Sequence, residues 1–152
     1  MKNKMIWFGR YEGWLRWLCK GVQAGNSECI KKAAKLFDMM LPDNCLIIPM
    51  PGHNGYADQM LKVCIEMGCI WALRNPEVRT QAWMDALICN PHQPNYLQKK
   101  SGVPAPIEMS LMGDAIGYKT VCIIDNVIAS GVTASAALKA VPNAIVVALA
   151  RG

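Results

Sequence analysis

Val121-Cys122-Ile123-Ile124-Asp125-Asn126-Val127-Ile128-Ala129-Ser130-Gly131-Val132-Thr133 is the stretch that decides the fold. It opens with a short apolar run rich in β-branched residues and without polar alternation, as expected of a parallel strand covered on both faces. The run is expected to break at Asp125-Asn126. The small residues of 129–133 then form a tight loop, and 134–139 read as a helix. Thr133 is its candidate N-cap, and Gly131 supplies a backbone conformation that a Cβ would oppose. Strand, small-residue loop and helix N-terminus together make an anion site, because unpaired backbone N–H groups and the helix dipole both favour negative charge. Ala129, Ser130, Gly131, Val132 and Thr133 are therefore candidate phosphate-binding residues. Asp125 and Asn126, at the carboxyl end of the strand, suit the hydroxyls of a sugar.

The same unit recurs upstream. Cys45-Leu46-Ile47-Ile48 is a second apolar strand. It runs into Pro49-Met50-Pro51-Gly52-His53-Asn54-Gly55 and then a helix carrying Met60, Leu61, Cys64 and Ile65. If the two strands are neighbours, their loops face one pocket. His53 is read as a polar loop residue or a donor to a phosphate oxygen. Gly68–Leu73 reads as a third strand ending at Arg74, a forked donor for pyrophosphate or a surface salt-bridge partner. Residues 76–87 read as a helix with Pro76 in its first turn. The span 90–106 holds four prolines and is long for a connection, which suggests a lid. Lys99 and Lys100 are its candidate phosphate-closing cations or plain exposed lysines. Residues 107–112 add a short strand, and 144–149 are the last buried one. Alternating strands and helices predict an α/β fold with an open, mainly parallel sheet and flanking helices.

The 152 residues suit one domain, with a helical, basic segment at 1–41 and an α/β core over 45–152. Apolar content of 53% with 18% charged residues excludes a disordered chain. Seven cysteines, with no Cys-x-x-Cys pair, several inside apolar patterns, point to free thiols in a reducing cytoplasm, with neither zinc site nor disulfide framework. No apolar run reaches membrane-spanning length, and the first residues lack the apolar core of a signal peptide. Residues 1–35 carry eight basic and two acidic side chains, against a net +5 for the chain. Trp14, Trp17, Leu18 and Gly21 share a face at helical spacing and read as core or subunit interface, which makes a homodimer a candidate arrangement. The basic excess is read as a solvated face or as a surface for single-stranded DNA. Ile30, Ala33, Ala34 and Phe37 stripe a second helix, with Lys31, Lys32 and Lys35 on its wet side.

The pattern over 121–133 resembles the phosphoribosyl pyrophosphate (PRPP) signature of type I phosphoribosyltransferases. Four apolar residues, two acidic positions and two apolar residues precede a Ser/Thr/Gly loop. Here the second acidic position is Asn126, an amide that keeps hydrogen bonding without charge. More of the chain is similar to the phosphoribosyltransferase part of the competence protein F (ComF) family. The similarity lies in Tyr11-Glu12-Gly13-Trp14-Leu15-Arg16, Ile48-Pro49-Met50-Pro51, Gly55-Tyr56 and Leu149-Ala150-Arg151. The resemblance implies transfer of ribose 5-phosphate from PRPP to a nitrogenous base, with pyrophosphate released. It implies Asp125 and Asn126 on the ribose, residues 129–133 on the 5′-phosphate, and Met50, Pro51, Gly52, His53 and Arg74 on the pyrophosphate. Mg²⁺ would be held mainly by PRPP and water rather than by a protein metal site. Two alternatives accompany it: a non-catalytic PRPP or nucleotide sensor, suggested by Asn126, and a competence-associated protein acting through DNA or a protein partner.

Overall fold

Strand β6 (Thr120–Ile128) runs through the middle of the sheet in the computed structural model, which describes residues 4–74, 80–91, 107–113 and 120–152. Its flanking strands are β7 (Ala144–Arg151) and β2 (Asn44–Pro49); outside them lie β1 (Met5–Arg10) and β3 (Thr80–Trp83). The order β1-β7-β6-β2-β3 is parallel throughout. Helices α1 (Gly13–Gln23), α2 (Ser27–Met40) and α3 (Gln59–Ala72) and helix α4 (Val132–Ala140) flank this sheet. Strands β4 (Leu87–Cys89) and β5 (Met109–Leu111) form a separate antiparallel pair.

Two buried clusters explain the unbroken apolar run of β6. Cys122 and Ile124 pack with Leu18, Phe37 and Met67 of α1, α2 and α3. Val121 and Ile123 pack on the other side with Ala134 and Ala137 of α4. Successive strand side chains point to opposite faces, so coverage of both faces demands apolar residues at every position. Each fully buried branched side chain contributes about 1.5–3 kcal/mol. The alternation carries Asp125 to the α4 side and Asn126 to the α1 side.

Several expectations require correction. The strand does not break at Asp125-Asn126; it pairs with β7 as far as Ile128, opposite Arg151. Residues 5–10, expected within a helical segment, are a strand. Ile6, Trp7 and Phe8 are good strand formers, and β7 offers them a ladder from Met5↔Val146 to Arg10↔Arg151. Residues 68–72, expected as a strand, continue α3. Met60, Val63, Cys64 and Met67 face inward at helical spacing, and Ile70 and Trp71 pack on the same cluster. A short apolar run fits both periods, and the preceding turns set which one prevails. Residues 80–83, expected as helix, pair with β2 from Asn44↔Thr80 to Ile47↔Trp83. The short strand expected over 107–112 is present as β5.

Of the two readings of the tryptophan stripe, core is not the one observed. Leu15, Leu18, Cys19 and Val22 face the core, while Trp14 is 53% and Trp17 49% exposed. Both stripes satisfy helical spacing, one position out of phase. Gly21 settles the packing: a Cβ there would lie 2.2 Å from Cys29 Sγ, so the glycine lets α1 approach α2 closely. Helix α2 matches its expected stripe, with Ile30, Ala33, Ala34 and Phe37 buried. Asn26 caps it, its Oδ1 accepting from Cys29 N at 3.0 Å. The seven cysteines are thiols rather than disulfides, and six of them are buried. Among the described residues no helix is long and apolar enough to cross a membrane.

Candidate functional site at the carboxyl edge of the sheet

Parallel pairing of β2 with β6 makes their following loops emerge side by side. The ladder runs from Cys45↔Thr120 to Pro49↔Ile124, and Met50 N continues it by donating to Ile124 O at 2.9 Å. Two chambers open along this edge. The larger, about 460 Å³, is lined by residues of 50–54 and by Gln23, Asp58, Gln59, Asp125 and Asn126. The smaller, about 40 Å³, is lined by Asp125, residues 127–131, Thr133 and Ala134. Asp125 and Val127 belong to both. The two loops do not line one common pocket: residues 50–54 border the larger chamber and 129–131 the smaller, and the end of β6 at Asp125 and Val127 borders both.

Burial pushes the Asp125 carboxyl up to about 6, partly offset by the Asn126 N–H that donates to its Oδ1 at 2.7 Å. The group thus changes charge near neutral pH, a common condition at functional sites. Cys19 lies alongside; burial and the Asp125 charge push its thiol up to about 11, so it stays neutral. Asn126 turns toward α1. Its Nδ2 donates to Cys19 O at 2.8 Å, while its Oδ1 is enclosed with no hydrogen-bond partner. An amide fits this position because a carboxylate would set oxygen against the Cys19 carbonyl. The side chain expected on the ribose is thus engaged in tying β6 to α1.

The small-residue loop differs from expectation at its cap. Gly131, at φ +88°, is the N-cap of α4 in place of Thr133, and its carbonyl accepts from Ser135 N at 2.9 Å. Only glycine occupies that region without strain. Ser130 Oγ accepts from Val132 N at 3.3 Å. Residues 129–131 and Thr133 line the small chamber, whereas Val132 points out and is 51% exposed.

The other loop is braced from behind. Gly52 N donates to Tyr56 O at 2.9 Å, and Gly55 N to Gly52 O at 3.0 Å. Cys89 N donates to Gly55 O at 3.0 Å, and the Cys89 thiol to Gly52 O at 3.3 Å. Gly55 has φ +104°, and a Cβ there would lie 2.7 Å from Cys89 O. Met50 and Pro51 are buried, while Gly52 and His53 are exposed along the chamber.

Arg74 is not brought to this site. It follows α3, which returns the chain from the carboxyl to the amino edge of the sheet. Its guanidinium grips Asp38, Nη1 to Oδ1 at 2.6 Å and Nη2 to Oδ2, and Trp71 Nε1 donates to the same carboxylate at 3.1 Å. Of its two sequence readings, the salt bridge is the one observed, and its basis as a strand-end residue falls with the strand. Lys99 and Lys100, with most of the expected lid, lie outside the described residues. The two ends of that segment are fastened together: Asn90 N donates to Glu108 O at 3.0 Å, and Glu108 N to Asn90 Oδ1 at 2.8 Å.

Cys19, Cys89, Asp58 and Gln59 belong to the site or its support without having been singled out from sequence. Asp58 and Gln59 follow directly from the position of α3's first turn; the two cysteines depend on long-range packing and left no local signal. Among the described residues no three His, Cys, Asp or Glu side chains converge as a metal site. Set against models of protein families and against curated proteins, the sequence matches none.

Proposed function

We propose that the two chambers hold a ribose 5-phosphate compound in the manner of a type I phosphoribosyltransferase. The phosphate would lie in residues 129–133 and the ribose hydroxyls on Asp125. The observation that carries this reading is the position of Asp125, shared by a small loop-and-helix-terminus chamber and a larger one. The backbone and hydroxyl groups along the small chamber suit a phosphate, and no bulky side chain stands in its way.

With PRPP as ligand, the pyrophosphate would extend over Gly52, His53 and Asn54. No Lys or Arg is among the described residues lining that chamber, so Mg²⁺ on the pyrophosphate oxygens would supply the counter-charge, with Asp58 and Asp125 the carboxylates of the lining. In the transfer, an acceptor nitrogen forms its bond to the anomeric carbon as pyrophosphate departs with the bonding electrons. Ionised Asp125 would stabilise positive charge growing at that carbon, and the bracing of the 52–55 loop would hold the leaving group in line. Asn126 leaves one carboxylate where the signature has two, which is also what a PRPP sensor without turnover would display.

Calorimetric titration of PRPP with Mg²⁺ tests the reading. We expect binding to the wild type and a loss of at least about a hundredfold in Gly131→Asp, which sets a carboxylate in the phosphate loop. A folded wild type that ignores PRPP rules out both transferase and sensor; binding without pyrophosphate release across a panel of bases selects the sensor.

A second reading has its own observation. The Trp14–Trp17 pair, centroids 6.4 Å apart, faces outward, and cations lie over neighbouring rings: Lys32 over Trp17 at 5.2 Å, Arg16 over Tyr11 at 5.9 Å and Arg151 over Trp7 at 5.4 Å. Exposed aromatic rings interleaved with cations suit single-stranded nucleic acid. Affinity for oligo-dT that falls steeply with salt, and in Trp14→Ala/Trp17→Ala, is the expected result; salt-independent or absent binding refutes it.

A further inference from the structure

Arg151 is the last residue of β7, and its register partner on β6 is Ile128, just before the small-residue loop. Its backbone is fixed from both sides. Tyr11 N donates to Arg151 O at 2.9 Å, and Gly152 N to Ile128 O at 2.8 Å. From that base the side chain reaches the loop: a Cβ built on Gly131 would lie 3.8 Å from Arg151 Nη1. The guanidinium has no acidic partner among the described residues. It lies instead over the Trp7 ring, 5.4 Å from the centroid. The ring attracts the cation but offers no oxygen to its N–H donors. The small chamber, for its part, has no cation in its described walls. Its one charged lining residue is the acid Asp125, and neither Lys nor Arg stands beside it there.

We infer that Arg151 is the cation that holds the ligand's phosphate against residues 129–131, and that Trp7 of β1 is a positioning residue that keeps the guanidinium at that loop. The inference rests on the ribose phosphate reading for the place of the phosphate and adds the side chain that recognises its charge. A guanidinium brings a forked pair of donors to phosphate oxygens together with a full positive charge. Stacked on a ring and rooted in a fixed strand end, it loses less freedom when the anion arrives. The arrangement also gives β1, which lines neither chamber, a part in binding.

The test is calorimetry on the full chain with ribose 5-phosphate and with inorganic phosphate. Arg151→Gln should weaken ribose 5-phosphate at least about tenfold, and Arg151→Lys, which keeps the charge without the fork, only about threefold. Trp7→Ala should cost about threefold in the wild type and nothing in Arg151→Gln, because a ring that acts through the guanidinium then has nothing to position. Equal losses in both backgrounds overturn the role of Trp7. If Arg151→Gln fails to fold by circular dichroism, Arg151→Lys decides alone: the threefold loss upholds the forked contact and wild-type affinity overturns it. Wild-type affinity in a folded Arg151→Gln overturns the inference and leaves the phosphate reading standing. Inorganic phosphate that binds as tightly as ribose 5-phosphate, with the same loss in Arg151→Gln, upholds Arg151 and removes the ribose from the reading. A folded wild type that binds neither ligand overturns both.

Discussion

The loops after β2 and β6 leave adjacent strands in the same direction, yet they are built on opposite plans. The β6 loop, residues 129–131, is short and held by its own helix: Gly131 turns the chain and α4 begins at once. The β2 loop, residues 50–58, is long and held by something outside it, the backbone and thiol of Cys89. A short loop needs only the right residue at one backbone position. A long one needs a partner from elsewhere in the chain. The first is written in local sequence and the second is not.

Matched glycine substitutions would break this contrast most sharply. Gly55→Ala forces a Cβ to 2.7 Å from the Cys89 carbonyl at a positive φ, and should cost about 3 kcal/mol in chemical denaturation. Gly131→Ala is strained only by its φ, its nearest other atom being 3.8 Å away, and should cost about 1 kcal/mol. Equal costs would mean that the Cys89 brace is not rigid.

Asn126→Asp sharpens the comparison at the floor of the site. A carboxylate against Cys19 O loses a hydrogen bond and gains repulsion, for an expected cost of about 2 kcal/mol at pH 7. The deficit should lessen at acid pH, where the new carboxyl is protonated. A variant as stable as the wild type would mean that the bond to Cys19 O does not favour the amide over an acid.

Asp125→Asn should act in the other direction. The folded carboxyl holds its proton to about pH 6, the unfolded one to about 3.8, so the unfolded state ionises first. Wild-type stability should therefore fall as pH rises between those values and stay lowered above 6. The asparagine variant, free of that penalty, should gain on the order of 2 kcal/mol above pH 6 and nothing near pH 3.5. Ribose 5-phosphate affinity should drop in the same variant at pH 8, which separates stability from function at one side chain. Smallest of all, Trp14→Ala and Trp17→Ala should each change stability by less than about 0.5 kcal/mol, because both rings are half exposed. A larger loss would mean that the rings pack more than their exposure suggests.

Legibility follows the range of the interactions. The β6 strand and its loop were readable because hydrophobic pattern, small residues and helix start lie within one continuous stretch. The α3 tail was not, since Gly68-Cys69-Ile70-Trp71 suits either period until the preceding turns set the phase. Strand β1 was hidden because its reason to be a strand is β7, far along the sequence. The inward face of α1 was ambiguous between two stripes, and Gly21 against Cys29 resolved it. The place of Asp125 at the carboxyl edge of the sheet was readable; the bond of Asn126 to the backbone of α1 was not.

The pairing of β1 with β7 also sets an order of assembly. Met5 lies against Val146 and Arg10 against Arg151, so β1 has no ladder until β7, far along the sequence, has been made. Such distant pairing raises contact order and slows folding. Helix α1 follows β1 directly, and it supplies the Cys19 carbonyl that anchors Asn126. The floor of the larger chamber is therefore expected to close late in folding, and until then Ile6, Trp7 and Phe8 present an open strand edge for which chaperones and other nascent chains compete.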